Sequence, residues 1–333
     1  MALYLHEPLR IGNVQLRNRL ALAPMQQYQG DADGHATDYH PRHYGERSSA
    51  VGLVIVESTS VAPDGRLFVN DIGAFRDSHT EPLGRIVDAI HAGGAHAFIQ
   101  LAHGGRKALP VPGHELLAPS AIPFGEGYPT PKAMTEDDIA DTVQHFRDAA
   151  VRSVEAGFDG IELHMAHGYL FHQFLSPLTN RRTDAYGGSP DNRSRFAQRV
   201  LQAIREAVGP TYPLQIRISS TDHADGGITA ADTADALRRF APYLDAVHVT
   251  TGGLTPDRPS DLDPGYQLPY AAYLKAGTSL PVLAAGGIHT RTLAERAIRD
   301  GLADIIAIGR PLQADPVFAH RLLEPNPASV LRT

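Results

Sequence analysis

The 333-residue sequence predicts an α/β fold, a single closed (β/α)8 TIM barrel plugged by an N-terminal β-hairpin. Three observations carry that expectation. Eight short apolar runs recur along the chain, each followed by a loop with Gly or Pro and then by apolar residues at helical spacing. Glycine turns follow the seventh and eighth runs, at Gly286-Gly287 and Gly309-Arg310. The first run is preceded by Ile11-Gly12-Asn13-Val14, which reads as a tight hairpin within residues 1–17.

The runs at 20–23, 52–57, 97–101, 160–164, 214–218, 246–250, 282–285 and 304–308 read as strands, apolar enough to be buried on both faces. The helices between them are signalled at their ends. Thr135 with Asp138 forms a capping box ahead of Ile139, Val143, Phe146 and Ala150, and Gly157 closes that helix. Ser189 caps another with Pro190 in its first turn, Thr229 with Asp232 starts a third, and Thr290 caps a fourth that Gly301 ends. The connections 68–78, 102–135 and 251–268 read as loops. No composition shift marks a second domain, so residues 1–333 read as one domain with 324–333 as a tail.

Composition narrows the function. Hydrophobic residues make up 42% and charged residues 20%, the balance of a globular chain. A net charge of -7 without a long basic run argues against nucleic acid and against an anionic membrane surface. No apolar run approaches the roughly 18 residues that span a bilayer. The segment Met1 to Glu7 lacks a charged-then-apolar secretion signal, so a cytoplasmic setting is the expectation. The absence of cysteine removes disulfides, cysteine-ligated iron–sulfur clusters, thiol nucleophiles and cysteine zinc sites.

Active sites of such barrels lie at the C-terminal strand ends. The first strand there gives Pro24, Met25, Gln26 and Tyr28, the second Ser58, and the third Gln100 with Lys107 further on. The fourth gives His164, His167 and Tyr169 within six residues, and the fifth carries Arg217. Gly286, Gly287 and Gly309 with Arg310 suit a phosphate, since glycine lets backbone N–H groups approach an anion closely; the bland alternative is tight turns alone. Arg217 cannot shed its charge and needs an anionic or polar partner, either a ligand or an internal carboxylate such as Glu57 or Glu162. Gln100 can both donate and accept along a planar heterocycle edge. A phosphate, a planar amide-like edge and a buried positive charge together describe flavin mononucleotide (FMN). The two histidines suit a carbonyl oxygen that gains negative charge, and Tyr169, a phenol with a reference pKa of about 10, suits protonation of a carbanion. A metal at His164 and His167 lacks further ligands, and a plain structural role stays open.

These residues resemble the Old Yellow Enzyme family of flavin-dependent ene-reductases, in its bacterial, thermophilic-type branch. The likeness rests on Asn18-Arg19, Ala23-Pro24-Met25, Gln100-Leu101-Ala102-His103 with Gly105-Arg106-Lys107, the His164/His167/Tyr169 cluster and Arg182-Thr183-Asp184-Ala185-Tyr186-Gly187-Gly188-Ser189. The resemblance implies an FMN-binding barrel reduced by NADPH or NADH, which then reduces an electron-poor alkene. It also implies roles. His164 and His167 would hold the substrate carbonyl or nitro oxygen, Tyr169 would protonate the α-carbon, and Tyr28 would line the pocket. Gln100 and Arg217 would contact the pyrimidine side of the flavin, with Pro24, Met25 and Ser58 near the ring and Gly286, Gly287, Gly309 and Arg310 around the phosphate; Lys107 is a lesser candidate for contact.

Two features stand apart from that pattern. Gln26 occupies the place of a cysteine that tunes the flavin, and a carboxamide there implies a donated hydrogen bond, a changed potential and narrower access. Arg332 stands where the branch sends an arginine into a neighbouring subunit, which implies a homodimer or homotetramer. Two other readings stay open: a pathway-specific flavin desaturase or aromatising enzyme on the same fold, and a flavin-free phosphate-binding isomerase or aldolase using histidine or Lys107 chemistry. Dienoyl-CoA reductases and trimethylamine dehydrogenases, which add an iron–sulfur cluster, are removed by the missing cysteines.

Overall fold

The computed structural model describes residues 3–110, 114–257 and 262–324. Strands β1 (Leu9–Ile11) and β2 (Val14–Leu16) form the antiparallel hairpin, turning at Gly12 with φ +55°. Seven further strands follow up to residue 219: β3 (Leu20–Leu22), β4 (Leu53–Ser60), β5 (His96–Ala102), β6 (Leu117–Ala118), β7 (Lys132–Ala133), β8 (Gly160–Met165) and β9 (Leu214–Ser219). The last three are β10 (Ala246–Thr250), β11 (Val282–Ala284) and β12 (Ile305–Ile308). All except β1, β2, β6 and β7 close into one parallel barrel, β12 pairing with β3 through Ile306 opposite Leu20. These are the eight runs read from the sequence, shifted at their ends by one to three residues.

The hairpin seals the N-terminal end. Ile11, Val14 and Leu16 are buried in a cluster with the inward side chains Ala21, Leu53, Ile55, Phe98, Ala246, Leu283 and Ile305. The opposite strand faces, among them Val54, Val56, Ile99, Leu101, Ile161 and Ile216, pack against Ile86 and Ile90 of α2 (Thr80–Ala92), Phe146 of α3 (Glu136–Glu155), and Phe196 and Val200 of α5 (Pro190–Val208). Helix α1 (Tyr39–Ser48) lies beside β4, and α4 (Leu170–Leu175) is buried along its whole length. The outer ring is completed by α6 (Ala230–Phe240), α7 (Leu268–Ala276) and α8 (Arg291–Arg299). Caps appear where the sequence places them. Thr135 and Thr229 each form a capping box with the residue three on, and Ser189 and Thr290 each accept one backbone N–H.

Two details differ from the expectation. The 102–135 connection is more than a loop: Lys132 N–H donates to Leu116 C=O at 2.7 Å and Met134 N–H to Ala118 C=O at 2.9 Å, pairing β6 with β7. Strand β4 carries a bulge, so that Ile55 faces Phe98 but Ser58, not Glu57, faces Gln100. No helix among the described residues is long and apolar enough to cross a membrane. Arg332 and the tail beyond residue 324 lie outside the described residues.

Candidate active site at the C-terminal mouth of the barrel

Two adjoining cavities open at the C-terminal strand ends. One, of about 300 Å³, is lined by Pro24, Met25, Gln26, Tyr28, Ser58, Gln100, His164, His167, Tyr169 and Arg217, together with Leu67 and Phe68. The other, of about 560 Å³, is lined by Gly286, Gly287, Gly309, Arg310, Thr250, Tyr266 and Gln267, among others. Met25, His167 and Arg217 line both, so the two are continuous. Each site residue predicted within the described part of the chain borders one of them. Lys107 borders neither. Its ammonium donates to His167 C=O at 2.8 Å and Gly253 C=O at 3.2 Å and lies 5.0 Å from the Tyr169 ring centroid, which makes it a brace for the turn that carries His167 and Tyr169.

Beneath the cavities the barrel interior is polar. Glu162 is fully buried and accepts from Gln100 Nε2 at 2.7 Å, from Gln215 Nε2 at 2.7 Å and, through its other contact, from the His248 ring at 2.9 Å. Burial alone would raise the Glu162 carboxyl, but His248, Arg217 and the Gln100 amide outweigh it and hold the group below its ordinary value. Gln100 therefore spends one of its two amide N–H groups on Glu162 and keeps its carbonyl and the second N–H for other partners. Arg217 makes no ion pair within 4.0 Å among the described residues, and its buried Nε has no partner. Glu57, the other proposed carboxylate partner, faces outward after the β4 bulge. It accepts from Tyr44 OH at 3.1 Å and the Gln27 N–H at 2.8 Å, and burial pushes its carboxyl up to about 8.

The histidine cluster sits on a turn that the chain works to hold. His167 has φ +56° and Gly168 φ +76°, and a Cβ on Gly168 would lie 2.3 Å from Gly253 O, so only glycine fits. His172 Nδ1 accepts the Gly168 N–H at 2.9 Å, and Gln173 Nε2 donates to Gly168 C=O at 2.7 Å. The Tyr169 ring stands edge-on to His164 with centroids 4.7 Å apart. Burial first, then the Arg217 charge, depresses both His164 and His167 well below the ordinary imidazole value, so both are neutral at pH 7.

Neutral imidazoles leave the question of which nitrogen carries the proton. His164 Nδ1 accepts the Ala166 N–H at 3.3 Å, which puts its proton on Nε2, 3.4 Å from His167 Nδ1. His167 Nε2 lies 3.0 Å from Thr250 Oγ1, and that oxygen already accepts from Gln267 Nε2 at 3.0 Å. When the Thr250 hydroxyl turns its proton to His167 Nε2, the His167 proton sits on Nδ1. Two N–H groups then converge on one spot, and an oxygen between them satisfies both.

The cradle at the second cavity fits a phosphate. Gly286 has φ +98° with Gln267 and Tyr266 atoms 3.0 Å from where a Cβ would stand, and Gly287 has φ +68° with Pro264 backbone at 3.1 Å. The orphaned Arg217 Nε, where the two cavities join, and this cradle suit the ring edge and the anionic tail of FMN. Sequence reading missed Leu67, Phe68, Asp71, Thr250, Tyr266 and Gln267. Asp71 takes one N–H of Gln26 Nε2 at 2.5 Å, which ties the carboxamide to the 66–71 segment. A separate hollow of about 240 Å³ between α5 and α6 is lined by Arg193 and Arg239, whose guanidiniums are committed to Leu175 C=O and to Asp191.

Comparison with known proteins follows the same lines. Residues 4–327 match the NADH:flavin oxidoreductase / NADH oxidase family. The NADPH dehydrogenase of Geobacillus thermodenitrificans (strain NG80-2) is 43% identical over 319 residues, 95% of this chain and 92% of that protein. The NADPH dehydrogenase of Geobacillus sp. (strain WCH70) is 41% identical over 323 residues, covering 96% of this chain and 94% of that one. A solved complex of 2-naphthoyl-CoA reductase with 2-naphthoyl-CoA superposes with a TM-score of 0.90 at 30% identity over 96% of this chain, which spans 52% of that longer protein. The chain therefore belongs to the NADH:flavin oxidoreductase / NADH oxidase family, the Old Yellow Enzyme family, and is an oxidoreductase with FMN as cofactor and a reduced nicotinamide nucleotide as reductant.

Proposed function

We propose that the protein is an ene-reductase acting on small electron-poor alkenes, α,β-unsaturated carbonyl or nitro compounds. The observation that carries this reading is the convergence, over one continuous cavity, of two neutral imidazoles, a phenol and a buried guanidinium whose Nε has no hydrogen-bond partner among the described residues. When bound, FMN supplies the hydride, taken from the nicotinamide nucleotide and delivered to the alkene β-carbon. The relatives' names favour NADPH over NADH as its source.

His164 Nε2 and His167 Nδ1 hold the substrate oxygen and stabilise the charge that gathers there as the double bond accepts the hydride. Being neutral, they donate without protonating the oxygen outright. Tyr169, edge-on to His164, gives its phenolic proton to the α-carbon. Arg217 places a fixed positive charge beside the ring edge, and Gln100 presents a carbonyl there. Pro24, Met25 and Ser58 wall the ring, Gly286, Gly287, Gly309 and Arg310 receive the phosphate, and Tyr28 bounds the substrate. Arg332 reaching a neighbouring subunit in a homodimer or homotetramer remains part of the proposal.

An anaerobic titration decides the matter. Purified protein should show flavin absorbance that NADPH bleaches and that cyclohexenone, a maleimide or a nitroalkene restores with formation of the saturated product. A colourless protein that gains no absorbance with FMN would remove the cofactor assignment. Bleaching by the substrate itself, with a new double bond in the product, would replace reduction by desaturation.

A further inference from the structure

The wall of the 300 Å³ cavity opposite the histidines is made by two segments, 26–30 and 66–71, knitted together. Gly30 N–H donates to Asn70 C=O at 2.9 Å, and Asn70 Nδ2 to Tyr28 C=O at 3.3 Å. At the centre stands Asp71, 1% exposed. Its Oδ2 accepts the Leu67 N–H at 2.7 Å and the Phe68 N–H at 3.0 Å, while its Oδ1 accepts Gln26 Nε2 at 2.5 Å. The turn held in this way sets the Phe68 ring edge-on to Tyr28, with centroids 4.8 Å apart.

Asp71 takes three N–H contacts. A carboxylate ionised above its raised value of about 7 only accepts hydrogen bonds, so under those conditions Asp71 dictates which end of the Gln26 amide faces away from the cavity. One of its two N–H groups is spent on Asp71. Gln26 Oε1 has no hydrogen-bond partner among the described residues and is not sealed from solvent, and Gln26 lines the cavity. We infer that Asp71 is a positioning residue for acceptor specificity: it presents Gln26 Oε1 to the bound substrate as a hydrogen-bond acceptor and holds Phe68 as the facing rim, so the pocket favours planar acceptors that carry an N–H beside the activating carbonyl, such as cyclic imides. The inference rests on the ene-reductase reading of this cavity. Oxidised isoalloxazine has a single N–H, on its pyrimidine ring, where Gln100 and Arg217 are proposed to sit; Gln26 Oε1 is therefore left for the substrate. A site built around one such hydrogen bond discriminates against the analogue that lacks the donor.

The test uses unreactive saturated imides on the oxidised holoenzyme, with succinimide carrying the N–H and N-methylsuccinimide lacking it. Dissociation constants come from calorimetry in alkaline buffer, with Asp71 ionised, and need no turnover, so a flavoprotein that fails to reduce alkenes still reports on this inference. Wild type should bind succinimide about tenfold more tightly than N-methylsuccinimide, the worth of one good hydrogen bond. In Asp71→Asn the new amide accepts the Leu67 and Phe68 N–H groups and offers Gln26 an N–H, which inverts the Gln26 amide. That ratio should fall to near one, with the melting temperature close to wild type. Gln26→Leu, which removes the acceptor and leaves the backbone untouched, should do the same and covers the case in which Asp71→Asn fails to fold. A wild-type ratio of one, or a ratio unmoved in the folded variants, would overturn the inference.

Discussion

His172 Nε2 lies 2.6 Å from Asp222 Oδ1, both side chains buried, and this contact reaches the site through the backbone. The other carboxylate oxygen of Asp222 accepts from Ser176 Oγ at 2.7 Å and from the Ile228 N–H at 2.8 Å. His172 in turn holds the Gly168 N–H between His167 and Tyr169. Asp222→Ala leaves three buried donors unpartnered and should cost about 3 kcal/mol or more. The expected result is a lower melting temperature together with slower alkene reduction, with Asp222→Asn recovering part of both; thermal unfolding and steady-state rates check it.

Thr250 has a separate effect. Thr250→Val removes the hydroxyl that fixes the His167 tautomer, and the two histidine protons no longer converge. The acceptor KM should rise about tenfold, as for one lost hydrogen bond, with FMN affinity unchanged. Thr250→Ser should restore it. Nitrogen NMR of the histidine ring reads the tautomer directly, and an unchanged His167 signal in Thr250→Val would refute the assignment.

Tyr169→Phe keeps the ring packed against His164 and deletes the proton. Oxidation of the reduced enzyme by an enone should slow by about 10²–10⁴-fold, the usual worth of a positioned acid. Reduction by NADPH should stay within about twofold of wild type. Stopped-flow measurement of the two half-reactions separates them, and equal slowing of both would remove the proton-donor role.

At the phosphate cradle, Gly287→Ala puts a Cβ 3.1 Å from Pro264 and forces an alanine to φ +68°. The backbone must shift by tenths of an ångström where it approaches the anion. FMN affinity should fall by about tenfold or more, while free inorganic phosphate should lose its ability to compete with FMN.

Stability should depend on pH through two carboxyls. Burial raises Glu57 to about 8 and Asp71 to about 7, from ordinary values of 4.5 and 3.8. The folded protein thus keeps protons that the unfolded chain releases. The stability they contribute is complete below the ordinary values and is lost as pH rises through 7 and 8. The melting temperature should drop between pH 6 and pH 9, and Glu57→Gln should flatten that slope; a parallel slope in the variant would refute it.

Much of this was legible in the chain because it is local. The eight strands are short apolar runs, and the caps at Thr135, Ser189, Thr229 and Thr290 need only three or four residues to declare themselves. The inward polar layer was half visible: Gln215 stands two residues before Arg217 and Glu162 two before His164, and period-two spacing puts each pair on one face. Thr250, two residues after His248 at the end of its strand, was within the same reach, but Asp71 and Gln267 were not. Asp71 meets Gln26 across 45 residues and Gln267 meets Thr250 across 17, and a lone Asp or Gln in a loop looks like any solvated side chain until the barrel brings it inward. The Gln26 amide shows the same limit, since its residue type allows a donor or an acceptor and only the neighbouring carboxylate chooses.

The β4 irregularity acts as a phase change in the strand. Without the extra residue, alternation would put Glu57 opposite Gln100, aimed into the cavity proposed to hold the flavin ring. With it, a hydroxyl takes that inward place and the acid is exported to the shelter of α1. One inserted position thus spares the redox chamber a negative charge that would oppose electron uptake. Excising it should do more to the flavin's potential than most substitutions along the same strand.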